Sequence, residues 1–315
     1  MSRILVCGTL AIDWLSRYPG HFSSLPTGTH LNFSMQIGDL SRTFGGCAMN
    51  ICYSLKLLGD EAFPFVVVGR DYREGYDTHL RRLGIDASGI RVLEREAYSA
   101  HAFIFTDLEG NQLTGFYSGP SDQPDERERL ERFVSVHRPD YAVLAPDVAP
   151  KFLAAAATLR ALGTPFLADP GQNLTDFTAD ETQVLIEAVQ QLIVNQYEWQ
   201  TIQQRLGARA DELSRGLDWV VITHGARGAE WRPRAGDPVS VPAVPARRVV
   251  DPTGCGDAFR AGFVHAHARG ADMTTALRCG ALSATINLET HGAQAHDFTE
   301  FRTRFRETCG SDLPW

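Results

Sequence analysis

Short apolar segments alternate along this chain with longer segments whose apolar residues recur at helical spacing. The apolar segments span residues 3–8, 63–69, 141–146, 165–170, 192–195 and 219–225. Strands that are apolar on both faces and separated by helices are typical of a parallel sheet with helices packed on each side. The sequence therefore predicts an α/β fold with a doubly wound, mostly parallel sheet. No tandem repeat or low-complexity linker interrupts the pattern, so we expect a single main domain over residues 1–315.

Two parts of the chain depart from this alternation and predict a small β-sheet beside the main body. Residues 31–37 alternate apolar and polar side chains, the pattern of a strand with one solvent-facing side. Residues 100–106 and 112–117 read as a hairpin, because a turn containing Glu-Gly-Asn separates them. We expect these pieces, within about 14–44 and 96–118, to form a lid over a bound ligand. An ordinary edge hairpin is the alternative interpretation.

Composition and charge exclude several classes of protein. The formal net charge is −8 and no long basic run occurs, which argues against nucleic acid or an anionic membrane surface as the main partner. The six cysteines are scattered, with no Cys-x-x-Cys pair, as expected for reduced thiols instead of a disulfide framework or zinc site. No apolar run has the length of a membrane span or the features of a signal peptide, so we expect a cytoplasmic protein.

The stretch Asp-Pro-Thr-Gly-Cys-Gly-Asp at residues 251–257 carries the strongest chemical signal in the sequence. Its proline cannot extend a strand, so the chain must turn there. We expect Gly254 and Gly256 to adopt positive φ angles and to leave room for a ligand beside the main chain. A helix predicted to begin near Asp257 would direct unpaired N–H groups and the positive end of its dipole at this turn. These features predict a site for an anion such as a phosphate.

Asp257 has two interpretations within this turn. A carboxylate at a helix N-terminus can be a plain cap. A carboxylate beside a phosphate is repelled by it, and general-base catalysis would account for its presence. In that interpretation Asp257 takes the proton of an attacking hydroxyl group, while the N–H groups of Gly254, Cys255 and Gly256 stabilise charge on the transferred phosphoryl group.

The thirteen residues 251–263 resemble the C-terminal signature of the ribokinase-like, or pfkB, family of sugar and nucleoside kinases. The resemblance implies a ribokinase-like fold, ATP as phosphate donor, Asp257 as catalytic base and the preceding turn as an anion hole. A second likeness lies near the N-terminus, where Gly45-Gly46 opens a predicted helix that contains Asn50. It implies that Asp13, Gly46 and Asn50 bind the hydroxyl groups of the acceptor, although position alone favours a capping role for Asp13.

Several further residues are expected, by the same resemblance, to bind the nucleotide or a cation. Asn195-Gln-Tyr-Glu198 reads by itself as a helix cap, but in the family Glu198 reaches Mg²⁺, often through water. The Thr-His-Gly-Ala-Arg-Gly segment at 223–228 is similar to a phosphate-binding loop. The residues implied to contact ATP are Asn195, Thr223, Gly225, Gly228 and Asn287, the last beside the nucleotide base. Asp251 and Thr253 resemble part of a monovalent-cation site for K⁺.

Within the family, the sequence most resembles bacterial adenosine kinases. Phe103 and Phe116 lie at hairpin positions whose counterparts sandwich adenine, and an aromatic pair suits a flat heterocycle. The alternative is that both rings fill the core of the lid. We expect phosphorylation of adenosine at its 5′-hydroxyl to give AMP, in the setting of purine salvage. A ribose- or fructose-like sugar kinase, another nucleoside kinase, and a non-catalytic nucleoside- or nucleotide-binding protein remain alternatives. An exposed lid sheet could also serve as the contact of a homodimer.

Overall fold

A computed structural model describes residues 1–26, 34–120, 123 and 125–315. The strands are β1 (Arg3–Cys7), β2 (Ala11–Arg17), β3 (Leu40–Gly45), β4 (Glu61–Val68), β5 (Ile90–Val92), β6 (Ala100–Thr106), β7 (Gln112–Tyr117), β8 (Tyr141–Leu144), β9 (Phe166–Ala168), β10 (Gln191–Asn195), β11 (Trp219–Thr223), β12 (Ala229–Pro233) and β13 (Val239–Val241). The α-helices are α1 (Cys47–Leu57), α2 (Tyr76–Leu83), α3 (Glu126–His137), α4 (Ala149–Ala161), α5 (Ala179–Ala188), α6 (Gln196–Leu206), α7 (Ala210–Gly216), α8 (Cys255–His267), α9 (Met273–Leu288) and α10 (Phe301–Cys309).

The described strands form a large, mostly parallel sheet, as the sequence predicts. Its order is β13-β12-β11-β10-β9-β8-β1-β4-β5. The strands from β11 to β5 are parallel to their neighbours, and β12 and β13 continue one edge in antiparallel pairing. The strand order reverses at β1, which lies between β4 and β8. Ligands of open α/β sheets bind at such a switch point, outside the carboxyl ends of the strands.

Helices cover both faces of this sheet, and β1 shows why its strands are apolar throughout. Ile4 and Val6 pack into the core on one face, with α1, α8 and α9. Leu5 and Cys7 pack into the core on the other face, with α3, α4, α5 and α6. Because successive side chains of a strand point to opposite faces, a strand buried on both sides needs an apolar residue at every position. None of the described helices is both long enough and apolar enough to cross a bilayer.

A second, four-stranded sheet of order β3-β2-β6-β7 lies beside the large one. Its hairpin, β6 and β7, lies where the sequence predicts it. The strand predicted at residues 31–37 is not observed: residues 31–33 lie outside the described part of the chain, and residues 34–37 have no regular structure. Instead, β2 and β3 complete the sheet. The β2 sequence lacks a clean alternation because Ala11 and Ile12 are both buried against the main body.

Candidate active site

An open cleft lies between the small sheet and the carboxyl ends of the strands of the large sheet. Most of the residues that the sequence singles out line it: Asp13, Gly46, Asn50, Phe116, Asn195, Glu198, Thr223, Thr253, Gly254, Gly256 and Asp257. They come from segments at both ends of the chain, and parallel strands bring them together because their carboxyl ends share one edge of the sheet. The cleft is therefore the candidate active site.

The turn before α8 contains two glycines that are required for different reasons. Gly254 is required by its backbone conformation, and Gly256 by the lack of room for a side chain. Gly254 caps the helix with φ +78°, and a side-chain Cβ there would lie 2.5 Å from Cβ of Ala293. Helix α8 begins at Cys255, so the expectation that Gly256 needs a positive φ is wrong. A Cβ at Gly256 would instead lie 2.8 Å from Nη1 of Arg260. Gly256 thus leaves space for a buried guanidinium group.

The backbone N–H groups of this turn differ in their availability. The N–H of Cys255 donates to the carbonyl oxygen of Pro252 at 3.2 Å, so this predicted anion-hole donor already has a partner. Within the described residues, the N–H groups of Gly254, Gly256 and Asp257 make no backbone or side-chain hydrogen bond. Unpaired N–H groups at the start of a helix are suited to an anion. The available donors are therefore Gly254, Gly256 and Asp257.

Asp257 is the third residue of α8, and its side chain lies among polar groups of the cleft. Its Oδ2 accepts a hydrogen bond from Nδ2 of Asn50 at 2.8 Å. Burial raises the pKa of Asp257 from 3.8 to about 6, while the Asn50 hydrogen bond and the charge of Arg260 oppose this shift. A carboxylate with this pKa is ionised at neutral pH and binds a proton more readily than an exposed aspartate does. Both properties suit a general base.

A buried ion pair lies next to Asp257 that the sequence analysis did not identify. Nη2 of Arg260 donates to Oδ1 of Asp169 at 2.7 Å, and Nε of the same guanidinium contacts Oδ2. Both residues line the cleft. Arg260 follows Asp257 by three positions on a helix, a spacing that puts the two side chains on one face, so its position could have been predicted. Nothing in the sequence pairs it with Asp169.

Asp13 is a buried carboxylate without a protein partner. It lies in the middle of β2, which rules out a capping role, and its side chain faces the cleft. Its residue is only 8% exposed, and in the described part of the chain neither carboxylate oxygen accepts a hydrogen bond. Burial raises its pKa to about 6. A buried charge without donors is unfavourable, so this carboxylate is suited to accept hydrogen bonds from a ligand's hydroxyl groups.

Gly46, which lines the cleft together with Asp13 and Asn50, has a conformation that favours glycine. Its φ is +91°, and a Cβ there would lie 2.4 Å from the backbone nitrogen of Ala11. The residue caps α1, which carries Asn50 one turn further on. A larger residue would push the start of α1 away from β2, and with it the Asn50 side chain away from Asp257.

The register of the small sheet separates the two phenylalanines that the sequence pairs. Ala102 is opposite Phe116 and Phe103 is opposite Gly115, so the two rings project from opposite faces. Phe116 shares its face with Asp13 and lines the cleft. Phe103 lies on the outer face and stacks against His101, with ring centroids 6.1 Å apart. Within one chain the two rings therefore cannot stack on the same base, and of the two only Phe116 lines the cleft.

A second cleft joins the first at the start of α8. It is lined by Thr223, Gly225, Gly228, Cys255, Gly256 and apolar residues of α9. Thr223 and Gly256 line both clefts, so the two cavities meet at the unpaired N–H groups. Asn287, which was expected beside a nucleotide base, does not line this cleft. It is fully buried, and its Nδ2 donates to the carbonyl oxygen of Thr253 at 2.8 Å, which supports the turn.

Asn195 and Glu198 form a capping box at the start of α6. Both Glu198 carboxylate oxygens accept hydrogen bonds from Asn195, at 2.7 Å from the backbone N and 2.8 Å from Nδ2. Burial, and secondarily the charge of Asp169, raises the pKa of Glu198. No group of three or more His, Cys, Asp or Glu side chains that could hold a metal occurs among the described residues. A single buried carboxylate at the cleft nevertheless fits Mg²⁺, which keeps several waters and binds few protein ligands.

The proposed monovalent-cation residues have structural contacts. Oδ1 of Asp251 accepts from the N–H of Thr253 at 2.9 Å, and Oδ2 accepts from the N–H of Gly292 at 2.9 Å. Asp251 therefore joins the turn before α8 to the loop after α9. A K⁺ site here stays a prediction, since carbonyl oxygens would supply most of its ligands.

The model of the pfkB family carbohydrate kinases matches residues 1–299. The chain belongs to the pfkB family of carbohydrate kinases. The family and the ribokinase-like fold that the two glycine signatures predict are thereby confirmed. As a kinase of this family, the protein transfers a phosphoryl group to a hydroxyl group. The two adjoining clefts and the turn between them agree with a two-substrate transfer.

Similar proteins align along nearly the whole chain. The nucleoside kinase of Methanocaldococcus jannaschii is 27% identical over 304 residues, covering 94% of this chain and 93% of that protein. The structure of Burkholderia thailandensis nucleoside kinase in complex with inosine matches with a TM-score of 0.85 and 33% identity, covering 98% of this chain and 99% of that one. Its ADP-inosine complex matches with a TM-score of 0.82, at 33% identity, covering 98% of this chain and 97% of that one.

We expect phosphoryl transfer by this kinase to fail at low pH, because the roles predicted for Asp13 and Asp257 require their ionised forms and burial raises the pKa of each to about 6. Below that pH, log(kcat/KM) should fall with a slope between one and two. The measurement is a pH profile of kcat/KM from pH 5 to pH 9 in buffers of constant ionic strength.

An Asp13→Asn variant provides the matched control for this profile. It removes one of the two titrating groups, so the slope of its acid limb should approach one while its KM for the acceptor rises. A wild-type profile that stays flat down to pH 5 would contradict the assignment of both carboxylates.

Proposed function

We propose that this pfkB-family kinase transfers the γ-phosphoryl group of ATP to the 5′-hydroxyl of a purine nucleoside. Adenosine is the first candidate because of the sequence resemblance, and inosine is the second because it is bound in the similar Burkholderia structure. The observation that carries the proposal is the meeting of two clefts at Thr223 and Gly256, beside the Asp257 carboxylate. One cleft would hold the acceptor and the other the nucleotide.

The acceptor cleft has the polar groups that a ribose requires. The unpartnered Asp13 carboxylate accepts hydrogen bonds from two neighbouring ribose hydroxyls. Asn50 lines the same cleft and donates to the Asp257 carboxylate. Phe116 offers an aromatic face on the same side of the small sheet. A flat heterocycle would cover that ring, whereas a plain sugar would leave it exposed. This difference favours a nucleoside over ribose or fructose.

The nucleotide cleft is mainly apolar where the base of ATP would lie and polar where its phosphates would lie. Ala281, Ala284 and Leu288 of α9 provide the apolar wall, and Gly225 and Gly228 form the loop on the opposite side. Asn195 and Glu198 would hold a hydrated Mg²⁺, which supplies charge neutralisation on the phosphates when bound.

The reaction itself needs one proton transfer and one displacement. Asp257 accepts the proton of the 5′-hydroxyl as that oxygen forms a bond to the γ-phosphorus. The bond from the γ-phosphorus to the bridging oxygen of ADP breaks, and its electron pair leaves with ADP. The N–H groups of Gly254, Gly256 and Asp257 stabilise the negative charge on the transferred group. Closure of the small sheet would exclude water and limit ATP hydrolysis.

A panel of acceptors in a coupled ADP-release assay tests the proposed function. We expect adenosine or inosine to have a higher kcat/KM than cytidine, ribose or fructose. The Asp257→Asn variant should lose about two to four orders of magnitude in kcat, the range for loss of a general base. Its affinity for ATP, measured by calorimetry, should be retained because the N–H groups remain.

Three results would each decide against part of this assignment. A preference for ribose or fructose would identify a sugar kinase. Tight nucleoside binding with no ADP release would identify a non-catalytic binding protein. Turnover of Asp257→Asn close to that of the unmodified protein would remove Asp257 from the mechanism.

The orientation of the two phenylalanines makes a separate prediction about the nucleoside base. Phe116→Ala should raise the KM for the nucleoside by about tenfold, within the range for loss of one base-stacking contact. Phe103→Ala should leave that KM within about twofold, because its ring lies on the outer face. Steady-state kinetics with the preferred nucleoside provide the measurement. Equal effects of the two substitutions would restore the sandwich interpretation.

We further propose that the outer face of the small sheet forms a homodimer contact. Leu40, Phe103, Leu113 and Tyr117 all project from this face, and each is more than two-fifths exposed. Several exposed large apolar side chains on one face of a sheet are typical of an interaction surface. The cleft face of the same sheet is needed for the acceptor, so the outer face is the one available to a second copy.

Sedimentation velocity over a concentration series tests the dimer. We expect the unmodified protein to sediment as a dimer and the Leu113→Glu/Tyr117→Glu double variant as a monomer, because burying two carboxylates in an apolar contact is unfavourable. Val136→Glu, on the exposed side of α3, is the matched control and should remain dimeric. A monomeric unmodified protein at all concentrations would rule the contact out.

A further inference from the structure

The Asn50 side chain lies between the Asp257 carboxylate and a second amide, that of Gln294. Nδ2 of Asn50 donates to Oδ2 of Asp257 at 2.8 Å, and Oδ1 of Asn50 accepts from Nε2 of Gln294 at 2.9 Å. The two ends of an amide differ only in whether they donate or accept, and a half-turn of the side chain exchanges them. The hydrogen bond that Gln294 makes to Oδ1 therefore helps to keep the Nδ2 donor of Asn50 facing Asp257.

Gln294 belongs to the loop after α9, and its own amide is held by two further groups. Its Nε2 also donates to the hydroxyl oxygen of Tyr76 at 2.8 Å. Its Oε1 lies 3.0 Å from Nε2 of His79, whose ring stacks on Phe44 with centroids 4.1 Å apart. An amide oxygen can only accept, so this contact requires a proton on Nε2 of His79. The oxygen and the nitrogen of the Gln294 side-chain amide can thus be told apart by their hydrogen-bond partners.

The direction of donation along this chain is set by a backbone carbonyl. The hydroxyl of Tyr76, a fully buried residue, lies 2.7 Å from the carbonyl oxygen of Gly45, which can only accept, so the hydroxyl must donate to it. The tyrosine oxygen is then left to accept from Gln294. With its N–H groups facing Tyr76 and Asn50, Gln294 requires the oxygen of Asn50 on its side. The N–H group of Asn50 must therefore face Asp257.

We propose that Gln294, oriented by Tyr76, is a positioning residue that holds the Asn50 amide with its N–H group toward the Asp257 carboxylate. This inference rests on the proposed function only in taking Asp257 as the base. Neither Gln294 nor Tyr76 lines the acceptor cleft. The two residues act through Asn50, whose amide would otherwise be free to turn its oxygen toward Asp257 whenever that carboxyl group is protonated.

Replacement of Gln294 should therefore change the titration of Asp257. Without Gln294, the Asn50 amide can turn its oxygen toward a protonated Asp257 and accept the carboxyl proton, and this stabilisation of the protonated form is expected to raise the pKa by about one unit. In Gln294→Met, which has similar length and no donor, the acid limb of kcat/KM should move up by about one pH unit. kcat/KM should fall about fivefold at pH 6 and much less at pH 9. Gln294→Glu keeps the size but can only accept when ionised, so its shift should be larger.

A direct titration of Asp257 separates this inference from the proposed function, because it needs no substrate. NMR of protein labelled with ¹³Cγ-aspartate, assigned with Asp257→Asn, should give a midpoint near pH 6 in the unmodified protein. The midpoint should be about one unit higher in Gln294→Met. If the unmodified protein phosphorylates no nucleoside but this shift occurs, the proposed function fails and the positioning role stands.

Two variants show whether any effect is merely structural. Tyr76→Phe removes the hydroxyl but keeps the buried ring, and it should shift the midpoint in the same direction by a smaller amount. Gln203→Met removes a glutamine that donates to the carbonyl of Trp199 on α6, and it should change neither the midpoint nor the activity. A Gln294→Met protein with an unshifted midpoint, or with a loss of activity that is equal at every pH, overturns the inference.

Discussion

The proposed activity depends on keeping one buried carboxylate, that of Asp257, ionised inside the cleft. Burial raises the pKa of Asp257, and the hydrogen bond from Asn50 and the charge of Arg260 oppose it. Asn50 lies 207 residues away in sequence, so the 2.8 Å hydrogen bond exists only if α1 and α8 are held in fixed relation. Both helices pack into the same core on one face of the large sheet. Packing of that core therefore fixes the distance between Asn50 and Asp257, since close-packed protein interiors transmit small displacements.

Three aspartates of the cleft differ in their hydrogen-bond partners, and these partners determine which role each carboxylate can have. Asp169 is bound by the Arg260 guanidinium, so its charge is already compensated. Asp257 receives a single N–H group and keeps an oxygen for a proton. Asp13 is buried without any donor in the described structure, which makes a polyhydroxyl ligand its natural complement. In the proposed mechanism, one cleft therefore provides a structural, a proton-accepting and a ligand-binding carboxylate.

The sequence predicted the large sheet well and the small sheet only in part. Strands buried on both faces have an unmistakable pattern, because every position must be apolar. The hairpin β6–β7 was also found, from its turn residues. β2 and β3 were missed, since Ala11 and Ile12 are buried by the main body while Leu40 and Arg42 are exposed. Burial by a distant part of the chain leaves no local signal.

The amino-acid sequence by itself determined the family, the turn before α8 and the residue types of the cleft, because these follow from contiguous motifs. Only the tertiary structure decided which way the side chains point. It turned Phe103 away from the cleft, buried Asn287 beneath the turn and joined Gln294 to Asn50. Strand register, helix packing and hydrogen-bond direction are relations between segments far apart in the chain. A motif specifies the chemical groups, and packing specifies their orientation.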